Sequence, residues 1–319
     1  MKRAIVITII AMMFLGSGLL IGFFIWRKEA PAKSSTQFQA SGNPKFINPS
    51  VILDSGKYFI INFQPLKEEF IKIQQKYSQK TYIYFNYLNN TAWIGLDEKE
   101  LFTAASTIKV PLAMAIYKMI EERKLKASDT YALDQLDLNN GFGDLYKVGP
   151  DKTFTIDELI KIMLEKSDNT AMNALYKVLK LNGVEDPFTD VYASMGWDYY
   201  AENGEVPSYF DINLKTLSNM FIALYNAKYV NAEYSNQILT HLTNSQFNDQ
   251  IVAGVPADIP VAHKPGVMIA DNTYSDCGII YLPHRYYLLC LGSVGAEEKI
   301  TNKFMTEISK AAYQYVINN

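Results

Sequence analysis

The stretch GPDKTFTIDELIKIMLEKSDNTAMNALYKVL, residues 149–179, carries the signals on which the fold is read. Thr155 and Glu158 stand three positions apart ahead of the apolar run Leu159, Ile160, Ile162, Met163 and Leu164. That is the pattern of a capping box: the threonine side chain accepts from the N–H of the glutamate, and the glutamate reaches back to the threonine N–H. A helix is therefore expected from this point to about Lys166. Ser167-Asp168-Asn169 follows at once, three residue types that favour helix caps, and Asn169 to Leu179 continues with a second helical pattern.

Two further motifs flank this pair of helices. Ser106-Thr-Ile-Lys109 lies 61 residues before Ser167, and Lys264-Pro265-Gly266 begins 97 residues after it. Singly they are weak, since a Ser-x-x-Lys match is expected about once by chance in a chain of this length. Ser106 opens an apolar helix that runs to about Arg123. A serine there sits among unpaired backbone N–H groups at the positive end of the dipole, where developing negative charge is favoured. Lys109 falls on the same face one turn on. A buried lysine beside a second cation loses pKa and can act as a base, which makes a serine hydroxyl nucleophilic without a histidine. Lys264 is the candidate second cation.

Along the rest of the chain, Leu66, Phe70, Ile73 and Tyr77 mark an amphipathic helix. Thr81–Tyr87 and Ala92–Gly95 read as a hairpin turning at Asn89 and Asn90. Another helix is expected over Asn213–Asn226, strands over Ile259–Lys264, Thr273–Leu282 and Tyr286–Val294, and a closing helix over Ala296–Ile317. Gly196–Asp211 interrupts the helices. Strands at both ends with helices between predict an α+β class: an antiparallel sheet flanked by helices, with an all-helical lobe.

The 319 residues include 30 Lys and Arg against 33 Asp and Glu, 3 His and 2 Cys, and 49% are hydrophobic. A net charge of −3 gives no electrostatic footprint for nucleic acid. His241, His263 and His284 are scattered, and Cys277 and Cys290 form no ligand pair, so neither a metal site nor a cofactor is expected. Residues 4–26, AIVITIIAMMFLGSGLLIGFFIW, carry no charge and are long enough to span a bilayer. Lys2, Arg3, Arg27 and Lys28 bound them. The expectation is a membrane anchor over residues 1–28, with a cleaved signal peptide as the alternative. A linker over 29–50 and an extracytoplasmic domain over 51–319 follow.

The three motifs, in this order, resemble those of class A β-lactamases and penicillin-binding proteins. FTAASTIKVPLAMAIYK looks like that group's nucleophile helix, and AHKPGVM with DCGIIYL like its two strands beside the active site; the similarity extends over about residues 66–317. It implies a serine hydrolase that opens β-lactam or related amide bonds through an acyl-enzyme. Ser106 would attack, Lys109 would take its proton and Ser167 would relay a proton to the leaving amine. Asn169 would contact the substrate amide or hold Lys109, and Lys264 would attract a substrate carboxylate. The backbone N–H groups of Ser106 and Val267, the residue after Gly266, would form the oxyanion hole. The implied partner is a small-molecule or peptidoglycan-derived substrate, taken by a monomer.

Two departures stand out. Pro265 occupies the place of the group's Thr or Ser, which weakens or alters carboxylate recognition; a proline there also requires an edge strand. Second, no Glu-x-x-Leu-Asn motif follows Ser167. Glu202 and Glu205 are either its stand-ins as the base for deacylation or solvated loop acids. Without such a base, a D-alanyl-D-alanine peptidase or an esterase with slow deacylation is the alternative function, and a catalytically idle wall-binding module a third. For the remaining residues, a turn centred on Pro283 and His284 makes Cys277 and Cys290 direct neighbours, either bridged or as two buried free thiols. His263, on the strand face opposite to Lys264, is expected to pack. Tyr146 is a cleft wall or a core aromatic, and Trp197, Tyr199 and Tyr200 are packing for their loop.

Overall fold

The computed structural model of the chain describes residues 61–196 and 211–319. The expected anchor and linker therefore lie outside the described residues, as do Trp197, Tyr199, Tyr200, Glu202 and Glu205. Among the described residues no helix is long and apolar enough to cross a membrane.

Lys80–Tyr87 (β1) and Ala92–Leu96 (β2) form the expected hairpin. Val261–Met268 (β7), Thr273–Ile280 (β8) and Tyr287–Val294 (β9) come from the other end of the chain. The five join in the order β2-β1-β9-β8-β7, each pair antiparallel, so the first and last parts of the described chain share one sheet. Two short pairs, Phe102–Thr103 (β3) with Asp211–Ile212 (β6) and Thr130–Ala132 (β4) with Thr153–Thr155 (β5), lie apart from it.

β1, β8 and β9 are buried along nearly their whole length because both sheet faces are covered. On one face Ile83, Phe85, Tyr87, Leu289 and Leu291 meet Phe70 and Ile73 of Gln64–Gln74 (α1) and Phe304, Ile308 and Ala312 of Glu298–Asn318 (α8). On the other, Tyr84, Ile279 and Leu288 meet the helical part: Lys109–Glu121 (α2), Ile156–Glu165 (α3), Asn169–Leu181 (α4), Pro187–Ser194 (α5), Leu214–Tyr225 (α6) and Ala232–Thr243 (α7). The capping box of α3 forms as read, with Thr155 Oγ1 accepting from Glu158 N and Glu158 Oε2 accepting from Thr155 N.

Two features differ from the sequence expectation, and one alternative left open there is decided. Ser106 is not in the α-helix: Ala105–Ile108 is a 3₁₀ turn, held by Thr107 Oγ1 donating to Ala104 O, and α2 starts at Lys109. α5 and α7 were not anticipated, although Asp186 before Pro187, and Asn231 before the 235, 238, 239, 242 apolar face, are ordinary start signals. Finally, Cys277 and Cys290 are partners in the β8–β9 ladder and form a disulfide, which overturns the free-thiol alternative. The register set by the 283–284 turn puts the two side chains opposite each other on one face.

Candidate active site

The Ser106 turn, the Ser167 turn and the edge strand β7 converge beside α2 and α4. Three residues make one 3₁₀ turn, so Ser106 and Lys109 stand along one edge, and Lys109 Nζ lies 2.9 Å from Ser106 Oγ. The same ammonium group reaches Ser167 O at 2.8 Å, Ser167 Oγ at 3.3 Å and Asn169 Oδ1 at 2.7 Å. Lys264 Nζ donates to Ser167 Oγ at 2.8 Å and to Pro265 O at 3.1 Å. Ser167 Oγ thus lies between two lysines that are 1% and 0% exposed.

Burial decides the state of both lysines. It brings Lys109 down to about 7, opposed by the carboxylate of Asp168. It holds Lys264 well below the usual lysine range, with the charge of Lys109 acting in the same direction and Asp276 against it. A lysine near 7 supplies an appreciable unprotonated fraction at neutral pH, and at 2.9 Å that amine can take the proton of Ser106 Oγ.

The backbone that presents these groups is strained. Ala105 and Ser167 have φ of 48° and 55°, the left-handed region that non-glycine residues seldom enter. At Ser167 the strain is held by its neighbour: Asp168 Oδ1 accepts from Ala171 N as the N-cap of α4, and Oδ2 accepts from Leu145 N, both at 2.9 Å. Gly143, at φ 87°, lies so close that a Cβ there would collide with Asp168. Of the triplet, Ser167 and Asn169 thus face the lysines while Asp168 ties the turn to the 141–148 segment. Gly266 serves a similar purpose on β7, where a Cβ would collide with Ala104 O and crowd Ser275 Oγ. Its absence lets the strand press against the Ser106 turn.

Of the sequence candidates, Ser106, Lys109, Ser167, Asn169 and Lys264 come together, with Gly266 beside them and Val267 next on the strand, 40% exposed. Pro265 stands on the sheet's edge strand, as a proline requires. Tyr146 is half-buried and outside both apolar clusters, so it is not a core aromatic. An aromatic pair lies beside Lys264. Phe142, 46% exposed, contacts Phe247 with ring centroids 5.7 Å apart, and Lys264 Nζ lies 5.5 Å from the Phe247 ring. Phe247 was not singled out, because it sits in a polar loop without periodicity. His263 is buried as expected, but it also joins two partners: its Nδ1 meets Asp276 Oδ1 at 2.9 Å and its Nε2 meets Phe247 O at 3.0 Å.

A family model described as the Beta-lactamase enzyme family matches residues 65–316. The chain belongs to the Beta-lactamase enzyme family. Solved structures similar to it share the architecture. The structure of PBP-A superposes with a TM-score of 0.72 at 18% identity, covering 80% of this chain and 97% of that one. A β-lactamase from Sphaerobacter thermophilus DSM 20745 gives 0.70 at 20% identity, covering 80% and 98%. An ancestral (GNCA) class A β-lactamase gives 0.70 at 18% identity, covering 78% and 99%. No curated protein matches by sequence. The fold is thus the β-lactamase/transpeptidase-like one, with an antiparallel sheet and helices.

Proposed function

We propose that this β-lactamase-family chain is a serine hydrolase that opens β-lactam or related amide bonds through an acyl-enzyme on Ser106. The observation that carries the reading is the contact of Lys109 Nζ with Ser106 Oγ at 2.9 Å inside a site where burial brings that lysine to about 7. In the proposed step Ser106 Oγ bonds the carbonyl carbon and gives its proton to neutral Lys109. The carbonyl C–N bond breaks, and the leaving nitrogen takes the hydroxyl proton of Ser167, which Lys109 Nζ, carrying the proton taken from Ser106, replaces across 3.3 Å. Asn169 keeps Lys109 aimed at this path, and the N–H groups of Ser106 and Val267 are the proposed oxyanion hole.

A second reading, a penicillin-binding peptidase or esterase with slow deacylation, is favoured by one observation: the sequence after Ser167 lacks a Glu-x-x-Leu-Asn motif. Time-resolved intact-mass spectrometry of the full-length chain with a penicillin separates the two. An adduct that appears and clears supports the β-lactamase and points to Glu202 and Glu205 as its water base; an adduct that persists supports the second reading. Adduct formation by Ser106→Ala would overturn both. Export and anchoring through residues 4–26 are also proposed, from the uncharged run alone. Protease added to intact cells should remove the domain, and full protection would refute this.

A further inference from the structure

The lysine that lies beyond Ser167 is withdrawn from solvent. Lys264 is 0% exposed, donates to Ser167 Oγ and Pro265 O, and has the Phe247 ring 5.5 Å from its Nζ. Lys109, 1% exposed, has four acceptors within reach. Pro265, between Lys264 and Gly266, offers neither a hydroxyl nor an N–H.

Among the described residues no arginine is placed there. Among the described arginines, Arg123 lies beyond the far end of α2, roughly 20 Å along the helix from Lys109. Arg285 donates to Val316 O and Ile317 O. Lys147 and Lys166 are exposed and both act on Asp144, with which Lys147 pairs. A free carboxylate brought beside Ser167 would lose its hydration next to the Phe247 ring, where Lys264 is buried and, among the described residues, no arginine is at hand.

What the cleft does offer there is apolar surface. Phe142 is 46% exposed and in contact with Phe247. The Phe247 backbone is tied down through its carbonyl to His263, which Asp276 holds in turn. An aromatic pair anchored in this way is a seat for a flat or branched apolar group.

We propose that the acyl donor this site takes has no free carboxylate beside the scissile bond and carries there an apolar or esterified group that lies on the Phe142–Phe247 pair. The proposal rests on the reading of Ser106 as the acylated nucleophile. The acyl transfer is the one written above: Ser106 Oγ bonds the carbonyl carbon, the carbonyl bond to nitrogen or oxygen breaks, and the leaving group departs with a proton.

The test uses benzylpenicillin and its methyl ester, with acylation of the full-length chain followed by intact mass and a fluorophosphonate as an independent probe of Ser106. The ester should acylate about tenfold faster or more, the size expected when one member of a pair must desolvate a charge without a partner. Phe247→Ala should bring the two rates together, and Phe247→Leu, which keeps apolar volume, should retain the preference. A faster acid, or a preference that survives Phe247→Ala, overturns the proposal. Failure of both penicillins to acylate while the fluorophosphonate labels Ser106 also overturns it, leaving the nucleophile in place. No label on Ser106 overturns the proposed function itself.

Discussion

On the α1/α8 side of the sheet, Phe63, Phe70, Phe85, Tyr287 and Phe304 close a cluster in which rings pack on rings, Phe63 and Phe85 with centroids 5.2 Å apart. Where β7 meets the Ser106 turn, the residues withdrawn from water are two lysines, a serine and an aspartate, each 2% exposed or less, on a backbone with two left-handed non-glycine residues. The first region follows from the hydrophobic effect, since the ring area buried there adds stability. The second opposes it: burying an ammonium group is unfavourable unless its hydrogen bonds are met or its proton is lost. Stability contributed by one face of the sheet offsets the strain held near the other. Reactivity and stability should therefore respond to different residues.

The largest effect is expected from Lys109→Ala. Removing the base should lower the acylation rate by 10²- to 10⁴-fold, roughly the contribution of a positioned general base. The wild-type rate should rise through a midpoint near pH 7, because the unprotonated lysine is the active form and burial places Lys109 at about 7. Stopped-flow acylation between pH 5.5 and 8.5 checks this, and a flat profile would remove Lys109 from the proton path.

Next in size is the effect of pH on stability. Lys109 titrates at about 7 when folded and near the ordinary lysine value of 10.5 when unfolded. Between those limits the unfolded chain binds the proton and the folded chain does not, so stability rises with pH. Below pH 7 both states are protonated and the full penalty of the buried charge is felt. From pH 7 to 10 the gain from Lys109 is about 4 kcal/mol, and Lys264, shifted in the same direction, adds to it. Above about pH 10 the trend should stop, because buried tyrosines such as Tyr225 and Tyr281 are raised and keep their protons only when folded. Urea melts at pH 7 and 9.5 measure the rise. No increase would mean that the lysines hold their charge in the fold.

The aromatic side has the converse test. Phe304 is fully buried on α8 and packs edge-on against Tyr77 with centroids 5.2 Å apart. Phe304→Ala should cost about 3–5 kcal/mol in a urea melt. Acylation per folded molecule should be unchanged, since the ring lies across the sheet from Ser106. A parallel loss of acylation under conditions where the variant is fully folded would show that the two regions are coupled.

The two regions were also unequally legible in the sequence. Strand and helix positions came from apolar periodicity and from caps such as Thr155 and Asp168, because burial of one face imposes a repeat that is written in the residues. The cross-strand meeting of Cys277 and Cys290 followed from the 283–284 turn, since a ladder fixes register once the turn is fixed. The order of Ser106, Lys109, Ser167 and Lys264 was legible as a motif set, but the positive φ of Ala105 and Ser167 was not, as neither residue type announces it. Phe247 was missed because a loop side chain is placed by what ties its backbone. That tie, His263 to Phe247 O, joins residues 16 apart across a strand edge.

The smallest expected effect bears on the boundary between the regions. Thr155→Ala removes an N-cap in which Thr155 Oγ1 accepts from Glu158 N at 3.2 Å and Oγ1 and N both reach Glu158 Oε2. The cost should be about 1 kcal/mol at neutral pH. Hydrogen bonds from Thr155 hold the Glu158 carboxyl below its usual range, so the stability tied to that charge is present above its unfolded pKa and lost as pH falls through the folded one. The difference between wild type and variant should therefore narrow in acid. α3 runs from this cap to Glu165, two residues before Ser167. Ser167 is fixed from its other side, through Asp168 to Leu145 N and Ala171 N. Acylation by Thr155→Ala should accordingly match the wild type to within about twofold, as for a surface cap outside the reacting groups. A larger fall would mean that α3 transmits its start to its end, and that the strained Ser167 turn depends on a helix whose cap lies on the molecule's surface.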